Sequence, residues 1–579
     1  MTLSKPSKAI ASIKKQIQEG KILFVSWSGG KDSSVILDLT LKAALEYRNE
    51  TGRSTLVVVT HADTLVENPE MDLYTRREMQ KIRDFASLHG LNVKVLSSTP
   101  YLNSTWAVKV ISGRHMPVFA MTKQRSCTVD MKIKPMAILK KKILDLPNLK
   151  GIDHVTVVGT RFDESASRAK RMESREETDD RPWGNDGEMM LSPIAYWETK
   201  DIWDYLRDPI TNSQVSLFPD DLGECFSNFQ DLLRLYEDGS SDGKLSCRYG
   251  CSVCTVGRDK SMENLITNDP DRYSYMQPLL DLQRFLVNTQ HDLSRRSWIG
   301  RTIDKNGYIT ITPDVYSPQM LADLLRYCLS IDKQEQLRAQ EKGESPKFKL
   351  LTLDAVLAID AIWSLQGNQR PFTALKIWDE IMEREEGFYP VPSVDPIPKM
   401  EIPPKKYLYV GEDWKESHQY KYAGLRDVML ESFAGECVGT KLLKNGDTVI
   451  DVHTDLSFGF DDDALELFWG VEFPELMERI KAGEYDNAPY TDGYKYYVRL
   501  GIMQLAKGRE WQANDILRRT SIKEALGLLG PDVNYSEIYD LAVDAKAMKE
   551  ALGSHDEIEE PQEEIVEEQE EPGFQKIRL

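Results

Sequence analysis

The chain has 579 residues, 41% of them hydrophobic and 29% charged, a profile that suits two to four ordinary globular domains. A formal net charge of −20 argues against a dominant basic face for nucleic acid, so work on DNA or RNA needs local positive charge or a partner. Seven cysteines are too few for a disulfide scaffold. With no apolar run near the roughly 18 residues of a membrane span, and no signal-peptide core at the start, a cytoplasmic protein without membrane contact is expected.

In chain order, the first twenty residues read as a short basic amphipathic helix. Strand-like runs follow at Ile22–Trp27, Thr55–Thr60, Asn92–Ser97, His154–Gly159 and Met190–Pro193, alternating with helical stretches. The alternation predicts βαβ units: an α/β fold with a parallel sheet and helices on both faces. Glu173–Glu188, rich in charge, Pro and Gly, reads as a mobile surface loop. A helical region is expected over 301–388, including Gln319–Ile331 and Leu353–Leu365. A stiff Pro-rich connector over 389–406 and a mixed or helical unit over 407–552 come next. Asp461-Asp462-Asp463 precedes a helical run and reads as a helix cap rather than a metal cluster. The stretch Asp556–Glu571 holds ten acidic residues and no basic one, so 553–579 reads as a disordered acidic tail.

Two motifs carry chemistry. Ser28-Gly29-Gly30-Lys31-Asp32-Ser33 joins the first strand to a helix opening at Ser33. A Gly-rich turn there frees backbone N–H groups at a positive helix end and makes a phosphate cradle, with Lys31 as a point charge. It is not a Walker A loop, because Val25 and Asp32 stand where Gly and Ser/Thr are required. The second motif is Cys247-x3-Cys251-x2-Cys254, three thiols able to converge on one metal centre. Cys127, in the basic stretch Lys123–Pro135, is the best fourth ligand, for either four-thiolate zinc or an iron–sulfur cluster. Cys328 reads as core and Cys437 as structural; Cys225 stands alone.

The order S-G-G-K-D-S resembles the PP-loop of the ATP pyrophosphatases. Arg125–Pro135, Gly159–Arg168 (GTRFDESASR) and Pro193–Leu206 resemble elements of the phosphoadenosine phosphosulfate (PAPS) reductase family, covering roughly residues 20–265. Within that family, Asp63–Pro69, Thr105-Trp106, Ile111–Arg114 and Tyr249–Met262 are similar to the DNA phosphorothioation sulfurtransferases, the DndC and SspD proteins of phage defence. That subgroup's Gly-Lys/Arg-Gly-Tyr-Pro segment is replaced here by Gly113-Arg114-His115-Met116-Pro117.

The resemblance implies an adenine nucleotide α-hydrolase-like PP-loop domain over residues 1–300 that cleaves ATP to AMP and pyrophosphate. Lys31, Arg161 and Arg168 would then face the leaving phosphates, Asp32 would hold Mg²⁺, and Asp63 would meet the ribose or base edge. It further implies a [4Fe-4S] cluster on Cys127, Cys247, Cys251 and Cys254. The substrate would be DNA, held through other subunits of a modification complex, with a cysteine desulfurase as sulfur donor. Three alternatives share parts of this pattern: an assimilatory PAPS or APS reductase, a tRNA thiolase, and a non-catalytic nucleotide-sensing subunit. The reductases resemble one another in a Glu-Cys-Gly-[Leu/Ile]-His segment that this chain lacks.

Overall fold

The computed structural model describes residues 4–114, 126–185, 187–207, 230–240, 249–255, 260–415, 437–442, 448–452, 458–460, 462–505 and 510–552. The described residues fall into two units. One draws on Met1–Pro100 and Gln124–Leu280, the other on Tyr101–Lys123 and Asp281–Glu567.

The first unit is built on a six-stranded sheet in the order β3-β2-β1-β4-β6-β5. Its strands are β1 (Ile22–Ser26), β2 (Leu56–Ala62), β3 (Asn92–Ser98), β4 (His154–Val157), β5 (Trp183–Asn185) and β6 (Glu188–Leu191). All neighbours pair parallel except β5 on β6. β1 is central, which explains its unbroken apolar run: a strand covered on both faces has no polar side. Leu23 and Val25 point into one core, where α1 (Lys5–Gln18), α2 (Lys31–Thr51) and α3 (Pro69–Leu88) pack. Ile22 and Phe24 point the other way, against Ile143 and Leu144 of the helix Lys134–Leu144. Helices therefore cover both faces, as the alternation of strands and helices predicts. α3 starts on Pro69, behind Asn68, whose side chain accepts from the Glu70 N–H at 3.0 Å.

One segment departs from expectation. Residues 173–188 are not a free surface loop. Trp183 is buried on the edge strand β5, and its Nε1 donates to Ser192 Oγ at 3.0 Å. The buried Glu177 carboxylate accepts from Ser192 (3.0 Å) and Thr160 (3.4 Å) and pairs with Arg175 (2.6 Å). Glu177 and Asp179 are buried, the latter paired with Lys8, whereas Glu173, Glu176, Asp180 and Arg181 stay exposed.

The second unit combines helices with an antiparallel sheet of β7 (Arg296–Ile303), β8 (Tyr308–Tyr316) and β9 (Lys406–Tyr409). The β7–β8 hairpin is absent from the sequence reading, which expected a helical region over 301–388. Its turn is fixed by Asp304, whose Oδ1 accepts from the N–H groups of Asn306 and Tyr308, and by Gly307 at φ +80°. Two buried aspartates tie helix to loop. Asp332, in the helix Pro318–Lys342, accepts from the N–H groups of Leu350 (2.7 Å) and Leu351 (2.9 Å). Asp360, in the helix Leu353–Gln366, accepts from Phe372 N, Ala374 N and the Tyr497 hydroxyl. Burial pushes their carboxyls up, to about 7 for Asp332 and about 6 for Asp360. Cys328 is buried in the first of these helices, as expected.

The Pro-rich stretch after Tyr389 has no regular structure up to β9. It is pinned where Tyr389 N donates to Ser330 Oγ and Ile397 N to the Asn288 carbonyl, both at 2.9 Å. Cys437 opens the strand Cys437–Leu442, and a helix runs over Asp462–Leu467. Asp461, Cys225 and the acidic tail lie outside the described residues. Among the described residues no helix is long and apolar enough to cross a membrane.

Candidate nucleotide and cysteine site

The phosphate-loop motif sits where the sequence places it, between the carboxyl end of β1 and the start of α2, the edge at which parallel sheets bind ligands. Two glycines are obligatory there. Gly29 has φ +78°, and a Cβ on it would lie 2.4 Å from Thr75 Cγ2. Gly159, just beyond β4, would place a Cβ 3.0 Å from the Asp32 carbonyl. Removing these methyls lets β4 and the helix start close on one another.

α2 begins at Lys31 with Gly30 as its N-cap and no side chain capping it. The helix start therefore keeps amide donors for an incoming anion. The serines hold the loop shape: Ser33 Oγ donates to the Gly30 carbonyl at 2.9 Å, receives the Ser28 N–H at 3.2 Å, and lies 3.1 Å from Ser28 Oγ. Lys31 Nζ lies 3.3 Å from Asp32 and over the rings of Tyr236 (5.6 Å) and Trp203 (6.0 Å). These two aromatics form a wall beside the ammonium that the sequence reading did not single out.

Arg161 is 1% exposed. Its Nε donates to Asp32 Oδ1 at 2.7 Å and its Nη1 to the Trp197 carbonyl at 3.1 Å. Asp163 adds a contact at 3.4 Å and is itself held below the usual carboxylate range by the Thr199 N–H and hydroxyl. In this structure, then, Arg161 anchors Asp32. Arg168 is paired instead with Glu164, one helical turn away. Burial raises the Glu164 carboxyl; Arg168 opposes that rise, Asp32 adds to it, and Arg161 and Lys31 act weakly against it. Lys31, Asp32, Arg161, Glu164 and Arg168 thus share one electrostatic neighbourhood. Asp63 lies at the end of β2, where its Oδ1 accepts from the Leu65 N–H at 2.8 Å and holds Leu65 at φ +65°.

The cysteines meet a second cluster beyond β2. Cys251 forms a bridge with Glu67, and Ser252 N donates to the Val66 carbonyl at 2.8 Å. Cys254 N donates to the Cys251 carbonyl at 3.0 Å, a turn that holds the two thiols in one electrostatic field. Cys127 opens a helical run interrupted by a π turn at Val129–Ile133. That turn carries Lys132, whose Nζ donates to Glu67 Oε1 at 3.0 Å. Desolvation works against the Lys132 ammonium, yet Glu67, Cys251 and Cys127 together hold its pKa above the usual lysine value. Burial pushes the Cys251 thiol up to about 12, with Glu67 adding to the rise and Lys132 opposing it.

The structure therefore brings Cys127, Cys251 and Cys254 to one locality around Glu67 and Lys132. Both lie in segments that carry the family resemblance, Glu67 in Asp63–Pro69 and Lys132 in Arg125–Pro135, but neither is assigned a role from sequence. Cys247 lies outside the described residues, and among the described ones no group of three or more His, Cys, Asp or Glu is arranged around a single ion. In donor chemistry the set fits a thiolate-bound centre, since soft sulfur ligands select zinc or iron–sulfur clusters.

Among solved structures the chain is similar to Candida glabrata FMN adenylyltransferase in complex with FMN and the ATP analogue AMPCPP. Identity is 16%, covering 37% of this chain and 60% of that one, with a TM-score of 0.20. An aspartate-to-alanine mutant of the same enzyme aligns with 14% identity over 43% of this chain and 65% of its own, with a TM-score of 0.22. The chain thus spans less than two thirds of either structure. No curated protein matches the sequence significantly. Residues 22–214 match the phosphoadenosine phosphosulfate reductase domain, so the segment that carries the phosphate loop, Asp63, Arg161 and Arg168 fits the PP-loop and PAPS reductase family.

Proposed function

We propose that the chain is an ATP-dependent sulfurtransferase of bacterial DNA phosphorothioation. The observation that carries this reading is the pairing, in one unit, of an uncapped PP-loop helix with cysteines gathered by Glu67 and Lys132. ATP would lie with its phosphates on the N–H groups around Gly30 and Lys31, and Asp32 would hold Mg²⁺, which binds through one or two carboxylates and phosphate oxygens. Arg161 keeps Asp32 oriented. Lys31, with Arg168 once released from Glu164, stabilises charge growing on the leaving group. A non-bridging oxygen of a DNA phosphate attacks the α-phosphorus of ATP, and pyrophosphate leaves. The outer sulfur of a cysteine desulfurase persulfide would be released as hydrosulfide by a dithiol reductant, which becomes a disulfide, and the hydrosulfide then attacks the activated DNA phosphorus. AMP departs with the original oxygen.

Cys127, Cys247, Cys251 and Cys254 would hold a [4Fe-4S] cluster, supplying a sulfur relay or activation. Glu67 and Lys132 would fix the two segments that carry Cys127 and Cys251. The net charge of −20 supports delivery of DNA by partner subunits.

Mass spectrometry of digested DNA and tRNA from the host tests this reading, with the gene intact and with Lys31→Ala or Cys251→Ala. Loss of phosphorothioate dinucleotides with unchanged tRNA thionucleosides is expected. Loss of tRNA thionucleosides alone moves the protein to the thiolases, and no change in either overturns sulfur transfer.

A further inference from the structure

The second unit contains a small cleft, about 30 Å³ in volume and partly open to solvent, between the β7–β8 hairpin and the helix Glu510–Ala525. Lys523 lines it and is 4% exposed. Among the described residues no carboxylate lies within ion-pair distance of Lys523, and no hydrogen bond satisfies its ammonium. Arg301, across the cleft on β7, is likewise without a carboxylate in ion-pair range; its Nη1 donates only to the Arg114 carbonyl at 3.2 Å. Arg519, one turn before Lys523, is neutralised by Asp515 at 2.8 Å and donates to the Arg301 carbonyl at 3.3 Å. Asp314 on β8 offsets part of the Arg301 charge from a distance. Around the remaining wall stand Ser297, Gln366, Asn368 and Tyr535, side chains able to hydrogen-bond an oxygen-rich ligand.

Burying an ammonium without a counter-ion costs several kcal/mol, and a second cation nearby adds to that cost. An apolar residue would fill the same space without penalty. An oxyanion held between Lys523 and Arg301 turns both costs into attraction, with a planar fork on one side and a point charge on the other. We propose that this cleft is a phosphate-binding site, distinct from the phosphate loop of the first unit, that accepts the phosphate of a nucleotide or of a nucleic-acid backbone through Lys523 and Arg301. Burial, with Arg519 and Arg301 adding to it, pulls the empty-site Lys523 amine down to about 8. That leaves it nucleophilic near neutral pH and gives the site its own readout.

The experiment is amine acylation of the full-length chain, followed at the Lys523 peptide by mass spectrometry, with half-exposed Lys549 as internal reference. Labelling is compared in chloride and in millimolar inorganic phosphate at equal ionic strength, and then with ATP and with a short DNA duplex. At phosphate near ten times its dissociation constant, labelling of Lys523 should slow by about tenfold while Lys549 is unchanged. Arg301→Gln should remove most of that protection. Protection by phosphate and ATP alone identifies a nucleotide as the source, and protection by the duplex identifies a backbone phosphate. Equal Lys523 rates under all conditions overturn the proposal. So does a Lys523 that resists the reagent in chloride, because an unpaired amine on an open cleft must be reachable.

Discussion

At the scale of single residues, the phosphate loop depends on an absent methyl group. Gly29 combines a left-handed backbone with a Thr75 contact that no Cβ survives. Gly29→Ala should therefore displace the loop and cut pyrophosphate release by about 100-fold, the cost of an ångström-scale misplacement. Arg161 makes a different prediction. Arg161 is buried on Asp32, so Arg161→Met leaves that carboxylate with Lys31 as its remaining partner and should lower stability by about 1–3 kcal/mol in urea titrations, before any effect on turnover is counted. Arg161→Lys should not restore stability, since one ammonium cannot serve Asp32 and the Trp197 carbonyl in the fork geometry of a guanidinium. Among the cysteines, Cys251→Ala should abolish iron retention after anaerobic reconstitution. Cys328→Ala, in a helix core of the other unit, should leave iron content unchanged. Equal iron in both variants would refute the cysteine assignment.

Elements were legible to unequal degrees. β1 to β4, the phosphate loop and α2 were readable because a central parallel sheet demands continuous apolar runs, and a phosphate cradle demands glycine at fixed offsets. The packing of Trp183 and Glu177 was not readable, because a charged segment looks alike whether its charges meet water or Ser192 and Arg175. The β7–β8 hairpin was missed although its turn holds Asp304 and Gly307. Its strands shift register twice, which breaks the two-residue alternation that reveals a strand. The Glu67–Lys132 pair was invisible for a simpler reason: it joins residues 65 apart.

The helix–loop ties carry a pH signature. Asp332, near 7 when folded, lies above the unfolded aspartate value of about 3.9. Its contribution to stability is complete below about pH 4 and is lost as pH rises through about 7. Asp332→Asn should therefore flatten the fall in stability between those limits, as read by denaturant titration of the full chain at several pH values.

For the whole molecule, half of the net charge is concentrated in one segment of the chain. Asp556–Glu571 accounts for ten of the twenty net negative charges, so its loss changes the chain from −20 to −10. Deleting Asp556–Leu579 should leave nucleotide affinity unchanged in equilibrium binding, while altering association with basic partners at low salt. A large loss of ATP affinity would show that the tail serves the loop. Isolated chain should also bind duplex DNA weakly and lose it steeply with added salt.

The sheet order has a consequence for how the chain is made. β1 pairs with β2 on one side and with β4 on the other, Ile22 standing opposite His154. A ribosome delivers β1, β2 and β3 long before β4, with the segment Tyr101–Lys123 of the other unit emerging in between. During that interval β1 has an apolar edge with no strand to close it, an invitation to pair with another nascent chain. Folding of the first unit must wait for a contact more than a hundred residues away. Fragments that stop before His154 should aggregate in cell-free synthesis, and extension through Leu280 should restore solubility.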